Sequence, residues 1–217
     1  MQTLTQQLVS AGLGNRVLTE AQLARIVTGT RQRRYHLVNR ATRAGEIHRL
    51  RRGLYVLDAK LRDNAVHPFA LAQALAPGSY VSLETALAHH GWIPETVHVT
   101  ASIAPGRKSL EVQHAVYGSF SFHPLAIQKG YFLELVERLQ HDRQSMFVAR
   151  PIRALLDLVC LRKIEWQGPG WMIEGLRIDP DNLRSVTAAD IGSLRPVYKQ
   201  KRANAFLKAL AKELALD

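Results

Sequence analysis

Along the first third of the chain, apolar residues recur in short and distinct patterns. Leu4, Leu8 and Ala11 fall at helical spacing before Gly12 and Gly14, which predicts a helix over 1–11. Leu23, Ile26 and Val27 make a second stripe at helical spacing, and Thr28-Gly29-Thr30 interrupts it. Thr19 stands three residues before Gln22, the spacing at which a threonine hydroxyl caps the third amide of a helix and the glutamine returns to the cap's own N–H. A third helix is predicted over 31–44, with Leu37, Val38, Ala41 and Ala44 as its core face and Gly45 as its left-handed stop. The runs 47–50 and 54–57 are rich in branched and aromatic residues, and Arg51-Arg52-Gly53 between them carries the glycine that a tight hairpin needs.

Helix, turn, helix and hairpin in this order, with almost no spacer, predict a winged helix-turn-helix over 1–60. Its polar positions point to DNA. At about 100° per residue, Arg33, His36, Arg40 and Arg43 share one flank of the third helix, while Gln32, Tyr35 and Asn39 point furthest from its core face. In a helix-turn-helix the N-terminal part of the second of the paired helices enters the major groove, so Gln32, Arg33 and His36 are candidates for contact with base edges. Arginine suits guanine and glutamine suits adenine, because each can form two parallel hydrogen bonds there. His48, Arg49, Arg51 and Arg52 lie along the hairpin or at its tip, where cationic groups reach phosphates or a narrow minor groove. An arginine-rich helix alone reads as a solvated face; the cap, turn, helix and basic hairpin in sequence are what favour nucleic acid.

A polar stretch over 58–66 reads as a short linker, and beyond it the pattern changes to a mixed α/β domain over 67–217. Phe69, Leu71, Ala72 and Leu75 predict a helix stopped by Pro77-Gly78; Tyr80-Val81 is a short strand, and Ser82 is placed to cap a helix running to Gly91. Strands are predicted over 97–103, 112–117, 120–123 and 131–135. Pro151 starts a helix whose buried stripe is Ile152, Leu155, Leu156, Val159 and Cys160. A loop over 166–171, helical pieces over 183–186 and 188–194, and a terminal helix beginning near Pro196 complete the chain. The expected class is α+β, an N-terminal winged helix-turn-helix followed by a mixed α/β domain and a C-terminal helix.

Charge sharpens this division. The 217 residues carry a formal +11, and 47% of them are hydrophobic, which excludes a fully disordered chain. Residues 1–66 hold twelve Lys/Arg against four Asp/Glu, residues 67–194 eleven against twelve, and residues 195–217 six against two. Positive charge therefore sits at the two ends and implies an anionic partner. On the terminal helix, Lys199, Lys201, Arg202, Lys208 and Lys212 are either a solvated face or a second phosphate-contacting patch. Cys160 is the only cysteine, so an intrachain disulfide and a Cys-rich zinc site are both ruled out, and the cytosol is the expected compartment. No signal peptide or membrane span is predicted, since the most apolar run, 154–161, is broken by Asp157.

A search for catalysis yields no constellation. His89 and His90 are adjacent and diverge on a helix, unlike an i, i+4 metal-binding pair. Neither a nucleophile elbow nor a phosphate loop is present. Asp157 reads as a semi-buried acid bridged to Arg153 or Arg150. The expectation is a protein that is not an enzyme and needs neither cofactor nor metal.

Three segments carry a family resemblance: the hairpin Ile47-His48-Arg49-Leu50-Arg51-Arg52-Gly53-Leu54-Tyr55, the run Tyr80-Val81-Ser82-Leu83-Glu84-Thr85-Ala86-Leu87, and Arg150-Pro151-Ile152-Arg153-Ala154-Leu155-Leu156-Asp157-Leu158. In this order, behind the predicted winged module, they resemble the AbiEi-type antitoxins of bacterial abortive-infection (type IV) toxin–antitoxin systems over roughly residues 15–160. The resemblance implies a phage-defence repressor of its own operon that binds inverted repeats in the promoter as double-stranded DNA. It also implies a companion nucleotidyltransferase-like toxin, neutralised through the middle domain and often without a stable complex. It carries a DNA role onto Arg31, Gln32, Arg33, Arg34, Tyr35, His36, Arg40, Arg43, Arg49, Arg51 and Arg52, and assigns no antitoxin residue. Two other readings stay open, an enzymatic middle domain that counteracts the toxin and an RNA-binding role for the basic ends. Homodimeric and cooperative binding on DNA are both open as well.

Overall fold

In the computed structural model, which describes residues 3–142 and 144–216, Thr3 caps the first helix, α1 (Leu4–Ser10), in a reciprocal box with Gln6. Met1 and Gln2, within the helix predicted over 1–11, lie outside the described residues. Ala11 is the C-cap and is exposed, so it is not the core residue its spacing predicted; Leu4 and Leu8 are buried. A short strand, β1 (Leu18–Thr19), leads into α2 (Glu20–Ile26), where Thr19 and Gln22 form the capping box expected from their spacing. The Thr30 hydroxyl then caps α3 (Arg31–Arg43) by accepting from the Arg33 amide at 3.2 Å. Val38 and Ala41 are buried, but Ala44 is exposed, because it is the C-cap where the chain turns away through Gly45 at φ +71°.

Two antiparallel strands follow, β2 (Ile47–Arg51) and β3 (Leu54–Leu57), and β1 pairs with the far side of β3 to give a three-stranded sheet, β1-β3-β2. Strand β2 contains an irregularity between Arg49 and Arg51, which pair with Tyr55 and Leu54 respectively. This bulge has a consequence for the side chains. Ile47 and Leu50, three positions apart, are both buried, and Arg49 and Arg51 are both exposed, which strict two-residue alternation would forbid. Helices of 7 to 13 residues are marginal alone. Here Leu4, Leu8, Leu18, Leu23, Val27, Val38, Ala41, Ile47 and Leu57 bury against one another and hold them in place.

The stretch read as a linker is ordered. Asp58 caps a 3-10 turn (Ala59–Leu61), the Asn15 side-chain oxygen accepts from the amides of Asp63 and Asn64 at 3.1 and 3.3 Å, and Val66 is buried. The helix α4 (Pro68–Leu75) follows. These elements, residues 1–75 together with 140–145, form one compact unit; residues 76–139 and 146–217 form the other.

The chain is mixed α+β throughout. The larger sheet is built from β4 (Tyr80–Val81), β5 (Val99–Ile103), β6 (Leu110–His114), β7 (Gly118–His123), β8 (Val136–His141) and β9 (Gln144–Ala149), in the order β6-β7-β5-β4-β9-β8. It is a mixed sheet: β5 runs parallel to β7 and antiparallel to β4, and β4 runs parallel to β9. The helices are α5 (Leu83–His89), α6 (Pro151–Arg162), α7 (Pro180–Arg184), α8 (Ala188–Leu194) and α9 (Lys201–Glu213). A single π-turn (Trp171–Gly175) closes the loop predicted over 166–171. Among the described residues no helix is long and apolar enough to cross a membrane.

Three expectations fail here, and each failure involves tertiary contacts. Residues 131–135 are turns instead of a strand, and the strands lie further on as β8 and β9. The terminal helix starts at Lys201 and not near Pro196, because Tyr198 forms a β-bridge with Ile127 and the Lys199 amide donates to the Ala126 carbonyl at 2.9 Å. Ser82 occupies the N-cap position of α5 but makes no side-chain cap; its hydroxyl donates to Asp157 at 2.7 Å.

That carboxylate is the centre of a buried network. Arg153 and Asp157 are both fully buried, and the Arg153 Nε donates to Asp157 Oδ1 at 3.0 Å. The Tyr80 and Tyr198 hydroxyls donate to the same carboxylate at 2.9 and 2.8 Å. Arg153 also donates to the Tyr80 hydroxyl at 2.6 Å and to the carbonyls of Glu134 at 2.9 Å and of Tyr131 and Phe132 at 3.4 Å. The turns at 131–135 thus exist to present carbonyls to a guanidinium. Asp157 is therefore fully buried rather than semi-buried, and its partner is Arg153; Arg150 bridges Glu137 and Asp190 instead. Burial, and then the adjacent carboxylate, hold both phenols well above their usual pKa, so they stay neutral donors.

Cys160, one turn further along α6, is buried too, and burial pushes its thiol up to about 12. The expected result is no reaction of the folded chain with an aromatic disulfide reagent at neutral pH, and one equivalent of reaction after denaturation. Rapid labelling of the native chain would show that α6 opens readily.

Candidate nucleic-acid interface

The twelve candidate residues, ten read from spacing and two, Arg31 and Arg34, carried over from the resemblance, fall into groups with different surroundings. Arg31 and Tyr35 of α3 face Arg49 and Arg52 of the β2–β3 hairpin across an open concavity of about 330 Å³, with Glu20 at its edge. Three arginine side chains thus line one groove together with Tyr35, a residue 61% exposed. The bulge in β2 is what turns Arg49 outward, and Arg51 beside it is exposed as well. Guanidinium groups presented in this way can grip successive phosphates, each through paired N–H donors.

On the outward face of α3, the Gln32 Nε2 and His36 Nε2 lie 3.1 Å apart, and the Tyr35 and His36 rings meet edge to face with centroids 5.9 Å apart. These contacts are exposed and hold the first two turns of side chains together. Arg33 is exposed, and its stem lies over Gly29: a Cβ at Gly29 would come within 3.2 Å of the Arg33 Cδ. Gly29 also sits at φ +104°, a conformation that strains any other residue, whereas the exposed Arg33 stem could shift to admit a Cβ.

Arg34 differs from its neighbour. Its side chain is only 17% exposed, its Nη1 donates to the Gly29 carbonyl at 3.3 Å, and its Nε lies 3.9 Å from Glu20. It staples α3 to the turn and to the start of α2 and is turned away from any partner. His48 is likewise engaged inside the unit, its Nε2 lying 2.7 Å from the Asp58 carboxylate. Arg40 borders a separate hollow between α1 and α3, beside Leu4 and Leu37, while Arg43 is exposed in the last turn of the helix.

Two residues that the spacing did not single out shape this surface. Glu20 supplies the one carboxylate at the basic groove and pairs with Arg34; its signal is that of an acid in the first turn of a helix, where it complements the helix dipole. Asp58 accepts from the Lys60 amide at 3.0 Å and faces His48. The His48 hydrogen bond, and then that of Lys60, hold the Asp58 carboxyl below 3.8. The folded state therefore prefers the carboxylate, and its contribution is present above pH about 4 and lost as pH falls through the lowered folded value. Asp58→Asn is expected to reduce the loss of the urea midpoint between neutral pH and pH about 3; superimposable acid limbs for the two proteins would assign no stabilising role to this pair.

Among the described residues no group of three or more His, Cys, Asp or Glu side chains is placed to hold a metal ion. The chain matches no known family model, and no curated protein matches it.

Proposed function

We propose that the chain is a sequence-specific, DNA-binding transcriptional repressor of its own operon, with residues 1–60 acting as a winged helix-turn-helix and the protein serving as antitoxin to a nucleotidyltransferase-like toxin. The observation that carries the DNA reading is the groove in which Arg31 of α3 faces Arg49 and Arg52 of the hairpin. A hairpin whose arginines line one groove with an arginine of a helix suits a duplex, whose phosphates flank the groove that the helix enters.

On this reading Gln32, Arg33 and His36 contact base edges, while Arg31, Arg49, Arg51 and Arg52 contact phosphates. Arg34, largely buried with its Nη1 on the Gly29 carbonyl, and His48, paired with Asp58, are the members of the set least free to reach a duplex. The antitoxin role rests on the sequence resemblance of the segments beginning at Tyr80 and Arg150. Both segments enter the buried network of the second unit, through Tyr80, Ser82, Arg153 and Asp157.

The test is binding of the purified chain to the DNA upstream of its own gene and to a scrambled duplex, across a range of salt. A preference of about a thousandfold for the upstream sequence, with affinity falling steeply as salt rises, is the expected result. Equal affinity for both duplexes would reduce the first unit to a general nucleic-acid anchor. Growth rescue by the chain when co-expressed with the neighbouring toxin gene tests the second half of the proposal, and its failure with an intact repressor would remove it.

A further inference from the structure

The second unit holds a cleft of about 720 Å³ that the DNA reading does not use. It lies where α5 packs over β5 and α6 packs on α5, beside the neighbouring strands β7 and β6. The floor is apolar, formed by Val97, Val99 and Ala101 from the strand side and Leu158, Leu161 and Leu176 from the helical side. Val99 is 38% exposed, an unusual value for a branched residue on a central strand. A cleft of this size, whose apolar patch is bordered by polar side chains that include Thr96, His98, Glu111, Ser121 and His123, can seat a small molecule.

Its charges decide the class of that molecule. Of the three carboxylates that line the cleft, Glu84 is paired with Arg162 and Glu95 with Arg177, the latter at 2.7 Å. Glu111 has no ion-pair partner among the described residues. It lies on β6 directly across from Ser121 on β7, and Ser121 is in turn in register with Ala101 on β5. The row Glu111, Ser121, Ala101 therefore runs from an unmatched carboxylate, through a hydroxyl, onto the apolar floor. In a chain of formal charge +11, this cleft carries a local negative excess. An anionic ligand finds its arginines already engaged, whereas a cation finds a free carboxylate.

We propose that this cleft binds a small organic cation, an apolar body seated on Val99, Ala101 and Leu161 with an amine or guanidinium group directed at Glu111 and Ser121. The inference is independent of DNA binding, since it concerns the second unit alone.

The test uses the full-length, nitrogen-15-labelled chain titrated with three probes that share one body: phenylbutylamine, phenylbutanol and phenylbutyrate. The expected result is saturable movement of the backbone signals of Val97, Val99, Ala101, Glu111 and Ser121 with the amine. The alcohol is expected to bind about tenfold more weakly, as befits loss of one charge-assisted contact, and the carboxylate more weakly still. Glu111→Gln, at an exposed position on an edge strand, is expected to bring the amine to the level of the alcohol and leave the alcohol unchanged. Equal affinity for amine and alcohol, no effect of Glu111→Gln on the amine, movement of signals elsewhere, or no saturable response to the amine would each overturn the proposal.

Discussion

Arg153→Ala is expected to destabilise the chain by about 3–5 kcal/mol, the cost of stranding one partner of a buried ion pair. Asp157 would keep the hydroxyls of Tyr80, Ser82 and Tyr198 but lose its only counter-charge at a site with no exposure to water. The Glu134, Tyr131 and Phe132 carbonyls would lose the guanidinium as a donor in the same step, though Tyr131 keeps the Glu134 amide, and the guanidinium lies 5.3 Å from the centroids of both the Tyr80 and Tyr198 rings. Domains are commonly stable by about 5–15 kcal/mol, so this one change removes a large share of the total. Arg153→Lys is expected to fall between the two, because one ammonium cannot reach the carboxylate, a phenol and three carbonyls from a single position. Replacing both partners, Arg153→Met with Asp157→Leu, is expected to recover part of the loss, since no charge is then left buried alone. Urea midpoints of the four proteins measure this. An unfolding free energy for Arg153→Ala within about 0.5 kcal/mol of the parent would mean that the network is solvated in solution.

The second large effect concerns the first unit and separates base reading from phosphate gripping. Arg33→Ala is expected to weaken binding to the upstream DNA by about 1–3 kcal/mol and to leave binding to scrambled DNA nearly unchanged. Its backbone N–H still donates to Thr30, so α3 keeps its cap and the loss is confined to the side chain. Arg51→Ala is expected to weaken both duplexes alike and to lower the salt slope by about one. The contrast follows from position: Arg33 stands in the first turn of α3 and Arg51 at the end of β2. Parallel losses for the two substitutions on both duplexes would end the assignment of Arg33 to a base.

Much of the first unit is legible from local spacing. The boundaries of α2 and α3 follow from Thr19, Gln22, Thr30 and Gly45, all of which act on backbone groups within about one helical turn. The hairpin follows from two β-prone runs around Gly53. The bulge was less apparent, although Ile47 and Leu50, three positions apart in a strand, are its signature. In the second unit, β8 leaves little signal in the sequence because it is a terminal strand of the sheet with no fully buried position, and so shows no clear two-residue period. Residues 131–135 read as a strand because Tyr131 and Phe132 favour one, yet their carbonyls are turned to Arg153.

Arg33 and Arg34 condense the distinction between local rules and tertiary ones. Both lie in the same basic helix, Arg33 a candidate for DNA from spacing and Arg34 only from the family resemblance. A rotation of about 100° between successive residues then sends one outward and brings the other against Glu20 and the Gly29 carbonyl. The same holds for Asp157. Spacing left Arg153 and Arg150 both open as its partner, and the fold selects Arg153, four residues or about one helical turn away. The complete burial of Asp157 depends on Tyr80 and Tyr198, 77 and 41 residues distant in the chain. Caps, turns and helix faces depend on neighbours a few bonds away and can be read along the chain. Whether a charge meets solvent, a phosphate or a buried phenol depends on which distant segments the collapsed core brings to it.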